Sequence, residues 1–149
     1  MTKNIEHQLQ SKCVLWFSAN HNGLPKALWA NFSETLNQIE GGIKSSLGLK
    51  KDIPDLFYCP DRKLIGIEMK APITRHNTEH VISQAKWLLA YPSKGYFCDT
   101  FDMFKNIIKG GKGIDPQKVI DYLNTIKTKT FKWDRTLFGC EGYKHEEII

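Results

Sequence analysis

The chain has 149 residues, 41% hydrophobic and 25% charged, enough to bury one ordinary core without a metal or disulfide. Disorder, a collagen repeat and a disulfide scaffold are excluded, and no apolar run approaches the roughly 20 residues of a membrane helix. The formal charge of +5, from 21 Lys+Arg against 16 Asp+Glu, is compatible with a polyanion partner and does not demand one.

The first predicted element is a helix from about Asn4 to Phe17. Asn4 is its expected cap, Glu6 sits in the first turn, and Ile5, Leu9, Cys13 and Trp16-Phe17 recur at helical spacing. Lys3, Glu6 and Lys12 break up the first apolar residues, so no signal-peptide pattern is present and a cytoplasmic, reducing setting is expected. Residues 18 to 34 are rich in Asn, Gly and Pro and read as a long loop. A second helical pattern, Ser33 to Leu47, is weakened by Gly41-Gly42. Leu56-Phe57-Tyr58-Cys59 and Leu64 to Lys70 are strands joined by a turn at Pro60 to Lys63. A helix follows from about Asn77 to Ala90, capped by Asn77 or Thr78 and closed by Pro92. Gly95 to Cys98 is a strand, and Thr100 to Lys109 a short helix stopped by Gly110-Gly111. Asp115 caps a last helix with Pro116 at its first position. Residues 128 to 149 have no clear period. This order argues for an α/β fold, a small mixed central sheet flanked by helices.

The four cysteines, Cys13, Cys59, Cys98 and Cys140, form no C-x-x-C pair and read as free thiols rather than zinc ligands. His7, His21, His76 and His80 have no ligand spacing and read as surface or loop residues, His76 and His80 being candidate phosphate contacts. An HNH-type site has no motif here.

The hairpin carries the chemistry. With Asp61-Arg62 at the centre of the turn, Tyr58 faces Ile65, Leu56 faces Ile67 and Asp55 faces Glu68. Facing Cβ atoms lie about 4.5–5.5 Å apart, so the two carboxylates repel unless one is protonated or a cation lies between them. Oxygen ligands of this kind suit Mg²⁺. Lys70, two residues after Glu68, points to the same face, while Ile65, Ile67 and Met69 point to the core. An ammonium there can hold an attacking water or offset developing charge. A solvated edge with a weak Glu68–Lys70 ion pair is the plainer alternative. Against it, both strands are apolar on both faces, and charges on an interior strand pair are costly unless partnered.

Ile53-Pro54-Asp55 followed by Ile67-Glu68-Met69-Lys70 resembles the PD…ExK signature of the PD-(D/E)XK nucleases. Glu6 and Gln8, Pro54-Asp55-Leu56, Glu68-Met69-Lys70, Gln84 with Trp87, and Tyr96-Phe97 together resemble the VRR-NUC branch, over about residues 4 to 109. The resemblance implies a restriction-endonuclease-like core at 4–109 and a C-terminal extension at 110–149. It implies Mg²⁺, with Mn²⁺ able to substitute, held by Asp55, Glu68 and the backbone carbonyl of Met69. Lys70 would assist the attacking water. Glu6 would be an outer ligand or would position water or Lys70, and Gln84 would orient Lys70 or meet a phosphate. A helix-dipole role for Glu6 and a solvent-facing role for Gln84 stay open. Asp52 departs from the Gly that the branch usually has two residues before the Pro. The rival Pro60-Asp61 lies in the turn, where Asp61 cannot face Glu68.

The implied activity is metal-dependent endonucleolytic hydrolysis of DNA. By analogy with single-domain, Holliday-junction-resolvase-like members, the protein would work as a homodimer on branched or double-stranded DNA, in a phage or mobile-element setting. A nickase, flap or restriction-type nuclease of the same fold, or a non-catalytic binding module, are the alternatives. Residues 102 to 135 hold eight Lys and Arg against four Asp, most of the net charge. There Lys129 and Lys132 are expected to meet phosphates. Trp133 would stack on a base, or else Phe131 and Trp133 pack inward. Lys50, Lys51, Arg62, Lys63 and Arg75 are expected to track a backbone nearer the site.

Overall fold

The computed structural model describes residues 2–21, 26–30 and 52–141. The elements run α1 (Thr2–Asn20), β1 (Lys26–Ala30), β2 (Leu56–Pro60), β3 (Ile65–Met69), β4 (Arg75–Asn77), α2 (Thr78–Ala90), β5 (Tyr96–Cys98), α3 (Phe101–Ile108), α4 (Pro116–Ile126) and β6 (Thr130–Lys132), then a 3-10 turn at Arg135–Phe138. The chain is thus mixed α/β, with four α-helices and a small mixed sheet among the described residues. The predicted helix at Ser33 to Leu47 lies outside them, as do Lys50 and Lys51.

The β2–β3 hairpin forms in the expected register, with Leu56 opposite Ile67 and Tyr58 opposite Ile65. Its turn closes with the Lys63 N–H donating to Pro60 O at 2.9 Å. Asp61 and Arg62 both take positive φ, 48° and 70°, as the two-residue turn matched to strand twist requires. β1 adds antiparallel to β2 and β5 adds parallel to β3, giving the order β1-β2-β3-β5. A separate ribbon pairs β4 with β6.

Side chains alternate across the sheet. Leu56, Tyr58, Ile67 and Met69 are buried on the face covered by α1 and α3, where Phe17 meets Tyr58 edge-on and the Tyr58 hydroxyl donates to Ile108 O. Gly66 and Glu68 face α2, which packs in turn on α4. Gly66 is there for close approach. A Cβ would lie 2.7 Å from Pro54 Cγ and 3.2 Å from Leu88 Cδ2, so only a bare backbone lets Pro54 seat beside Asp55.

Three expectations are corrected. Helix α1 begins at Thr2, so Asn4 lies within it and does not cap it, and Glu6 is past the first turn. The stretch read as a loop holds the end of α1 and strand β1, whose Lys-Ala-Leu-Trp-Ala is too short to show a period. The residues from 110 on, expected as an extension, share the core over 110–141. Ile114 bridges Phe97, β6 pairs with β4, and Val119, Leu123, Phe131 and Trp133 are buried. Trp133 is fully buried and has no face for a base to stack on.

That segment is fastened by a charge that the sequence reading missed. Asp99, at the end of β5, accepts from Arg135 Nε at 3.0 Å and from Trp133 Nε1 at 3.2 Å, and both charged side chains are buried. Removing one partner of a buried pair strands the other charge. Asp99→Ala is expected to lower the unfolding free energy by about 3–5 kcal/mol, measured by urea denaturation.

Candidate active site

The capping residues place α2 against the sheet. Asn77 caps it by accepting from His80 N, with Glu79 in the first turn. One turn further on, Gln84 is buried and its Nε2 donates to Glu68 Oε2 at 3.0 Å. Gln84 is therefore not a solvent-facing residue. Its Oε1 is buried with no hydrogen-bond partner among the described residues.

Glu68 and Lys70 are each 2% exposed, and Lys70 Nζ lies 3.8 Å from Glu68 Oε2. The solvated-edge alternative fails on that burial. Asp55, at the start of β2, accepts from the Met69 N–H at 2.8 Å through Oδ2. Met69 thus meets Asp55 through its N–H. Glu6 arrives from α1, 65 residues away, and accepts from the Ala71 N–H at 3.3 Å. Its dipole role is set aside by position; its carboxylate lies against the end of β3. Glu6, Asp55, Glu68, Lys70 and Gln84 line one cleft of about 210 Å³, with Arg75, His76 and His80 on its wall.

For His76 alone the surface reading is corrected, while His7 is exposed and His21 and His80 are partly exposed. His76 lies on β4 and is buried. Alternation explains this: Arg75 and Asn77 point out to solvent while His76 faces Phe131 across the ribbon. Thr74 Oγ1 donates to Ala71 O at 2.7 Å and lies 2.8 Å from His76 Nε2. With its one hydrogen spent, Thr74 accepts, so the imidazole carries its proton on Nε2. That nitrogen is 3.6 Å from Glu6 Oε1. Burial, with the nearby Lys70 ammonium and then His80, pushes the His76 pKa down to about 3. His76 is therefore neutral at physiological pH, its Nε2 proton directed at Thr74 in the turn after β3.

Asp52 explains why glycine suits its position. Its φ is 66°, in the left-handed region that Gly enters freely and Asp or Asn tolerates. Its carboxylate takes His80 Nδ1 at 2.8 Å, so it is engaged with α2 and does not line the cleft.

The basic residues divide. Arg75 is at the cleft, and Lys132 faces it across the β4–β6 ribbon. Lys129 is also exposed, at the start of that ribbon. Arg62 and Lys63 are corrected. The hairpin turn and the acidic pair occupy opposite ends of the same two strands, about 3.3 Å per residue apart. Lys63 lines a different hollow with Tyr58, Lys94 and Lys109.

Donor chemistry is the test of a metal. Among the described residues no group of three or more His, Cys, Asp and Glu is placed to hold an ion by itself. Mg²⁺ is commonly held by one or two carboxylates, with waters and substrate phosphate completing its shell. Asp55 and Glu68 meet that pattern. Ionised, Glu6, Asp55 and Glu68 outweigh the buried Lys70 ammonium by two charges, with Arg75 at the exposed rim. The residues present fit a divalent cation.

No family model, no curated protein and no solved structure matches the chain.

The depressed His76 pKa has a stability consequence. A histidine held neutral in the fold is protonated in the unfolded chain below about pH 6.5, so unfolding takes up a proton there. The protein is expected to lose stability as pH falls from about 6.5 toward 3, and His76→Gln to flatten that slope. Glu6, Lys70 and His80 are titratable groups near His76. Urea midpoints at pH 7 and pH 5 for both proteins measure this; equal slopes would contradict it.

Proposed function

We propose that this chain is a Mg²⁺-dependent endodeoxyribonuclease with a restriction-endonuclease-like core, of the VRR-NUC branch of the PD-(D/E)XK nucleases. One observation carries the reading. Asp55, Glu68 and Lys70 come from the far end of one hairpin and share a cleft with Glu6 of α1 and Gln84 of α2. Two of the five are charged and almost wholly buried. Burying such charges costs several kcal/mol each, a cost that a task at the site accounts for.

Asp55 and Glu68 would hold the ion, which when bound would supply Lewis acidity to the phosphate and acidify water. The chain's own residues do the rest. Gln84 fixes Glu68 Oε2, and its Oε1, without a partner among the described residues, offers an acceptor for a water. Lys70 keeps a positive charge beside the carboxylates, able to orient an attacking water and offset charge developing on the phosphate oxygens. The Ala71 N–H helps hold Glu6 at the mouth. Water attacks phosphorus in line and the 3′ oxygen leaves. Arg75 and Lys132 beside the cleft suit a DNA backbone. Action on branched DNA as a homodimer belongs to the same proposal.

Among the described residues no helix is long and apolar enough to cross a membrane.

A synthetic four-way junction incubated with Mg²⁺ or EDTA tests the activity. Cleavage is expected with Mg²⁺ alone, and Asp55→Ala or Lys70→Ala to lower its rate by roughly 10²-fold or more. Melting curves check that both variants fold. Full activity in either folded variant would reject the assignment.

A further inference from the structure

The turn joining β3 to β4 begins just after Lys70 and ends at Arg75, so residues lining the cleft flank both its ends. At its tip stands Ile73, with φ 65° and 59% exposed. Pro72 precedes it, which makes Ile73 the third residue of an Ala71-Pro72-Ile73-Thr74 turn. Where that position takes positive φ, it favours Gly or Asn. A β-branched residue in left-handed backbone is a steric outlier. The structure nevertheless holds it there. The Ile73 N–H donates to Trp133 O at 3.0 Å, the Trp133 N–H donates to Thr74 O at 2.8 Å, and Thr74 Oγ1 bonds Ala71 O. A large apolar side chain is thus held in strained backbone and aimed at solvent, where it adds little to the core.

Its surroundings say what it meets. Ile73 lines a hollow of about 440 Å³ with Leu137, which is 36% exposed, and with Lys132, Trp133 and Asp134. Arg75 and Lys132 face each other across β4–β6 on the exposed side. Like charges directly opposed repel, and neither is ion-paired among the described residues; Arg75 reaches only the Thr130 hydroxyl. A polyanion satisfies both cations at once. An apolar tip beside a basic pair, next to the cleft, matches a chain that is charged along its backbone and apolar on its base faces.

We infer that Ile73 is a specificity-determining contact that packs against an unstacked base of DNA beside the cut, while Arg75 and Lys132 hold the adjoining phosphates. In an intact duplex the base faces are covered by their neighbours, and an apolar wedge must first separate them. At a gap, flap or junction that separation already exists. The contact therefore selects DNA with unpaired or unstacked bases. This rests on the nuclease reading above and names the substrate class for that site.

The test is a fluorescence titration of a gapped duplex carrying 2-aminopurine in the gap, beside an intact duplex, with Ca²⁺ in place of Mg²⁺. Wild-type protein, Ile73→Asn and Ile73→Gly are compared, since both replacements accept positive φ. Wild type is expected to bind the gapped DNA roughly tenfold or more tighter than the duplex, and both variants to lose most of that preference. Their melting temperatures should hold or rise by a few degrees, because the strain is relieved. An unchanged preference overturns the inference, as does its absence in wild type. Lower melting temperatures in both variants would assign Ile73 to folding and overturn it too. Self-association lost in the variants during sedimentation, with DNA preference intact, would assign the patch to a second copy of the chain instead. Cleavage in Mg²⁺ is scored separately. If wild type cuts no DNA, the nuclease reading falls while the binding ratio still judges Ile73.

Discussion

A carboxylate and an ammonium buried side by side at the end of an interior strand set the terms for the rest of the fold. Glu68 and Lys70 are each 2% exposed and 3.8 Å apart. Such a pair returns little net stability, because desolvating both charges consumes most of their attraction. Its neighbours are arranged to make the burial tolerable. Gln84 donates to Glu68 from α2, the Lys70 N–H donates to Cys98 O of β5, and Asp55 accepts from the Met69 N–H between them. Pro54 seats against a strand glycine, Gly66, so that Asp55 can reach that N–H. The strand order puts β3 in the middle of its sheet, so this set sits at the end of the most enclosed strand.

Charge balance links the strand to the elements around it. Glu6 brings a third carboxylate from α1, and the histidine beside it stays neutral because burial and Lys70 oppose its protonation. A cationic His76 would ease the excess negative charge; the fold withholds that relief. The three carboxylates lining the cleft are therefore offset only by Lys70 and the rim Arg75 among its described Lys and Arg residues. The β4–β6 ribbon continues this logic outward, with a buried face of His76 and Phe131 and an exposed face of Arg75 and Lys132. A second buried pair, Asp99 with Arg135, ties the ribbon's far strand to β5. The two pairs divide the labour: one secures the C-terminal residues, the other lines the cleft.

Local patterns were legible wherever neighbouring residues decide the outcome. The β2–β3 register followed from a two-residue turn, because a period of two leaves no freedom once the turn is centred. Asn77 and Asp115 cap their helices as expected, since an N-cap needs only a side-chain oxygen and the next few N–H groups. Strand β1 and the β4–β6 ribbon were not legible. Strands of three to five residues carry too few alternations to stand out, and the ribbon's partner strand lies more than 50 residues away. His76 was misjudged for the same reason. A three-residue strand decides that His76 points inward, and nothing in Arg-His-Asn announces a strand.

What the sequence determined by itself is the hairpin: a carboxylate before it, a carboxylate and a lysine at its end, and a core on the alternate positions. Backbone geometry enforces that arrangement over some sixteen residues, with no help from elsewhere. Tertiary structure alone decided which distant groups join it. Glu6 and Gln84 reach the strand through helix packing. Lys132 comes to Arg75 through a long-range strand pairing, while Arg62 and Lys63, nearer in sequence, are carried to the opposite end of the strands. Sequence distance measures neither direction nor packing, and the direction of two strands and the packing of two helices are what assemble this cleft.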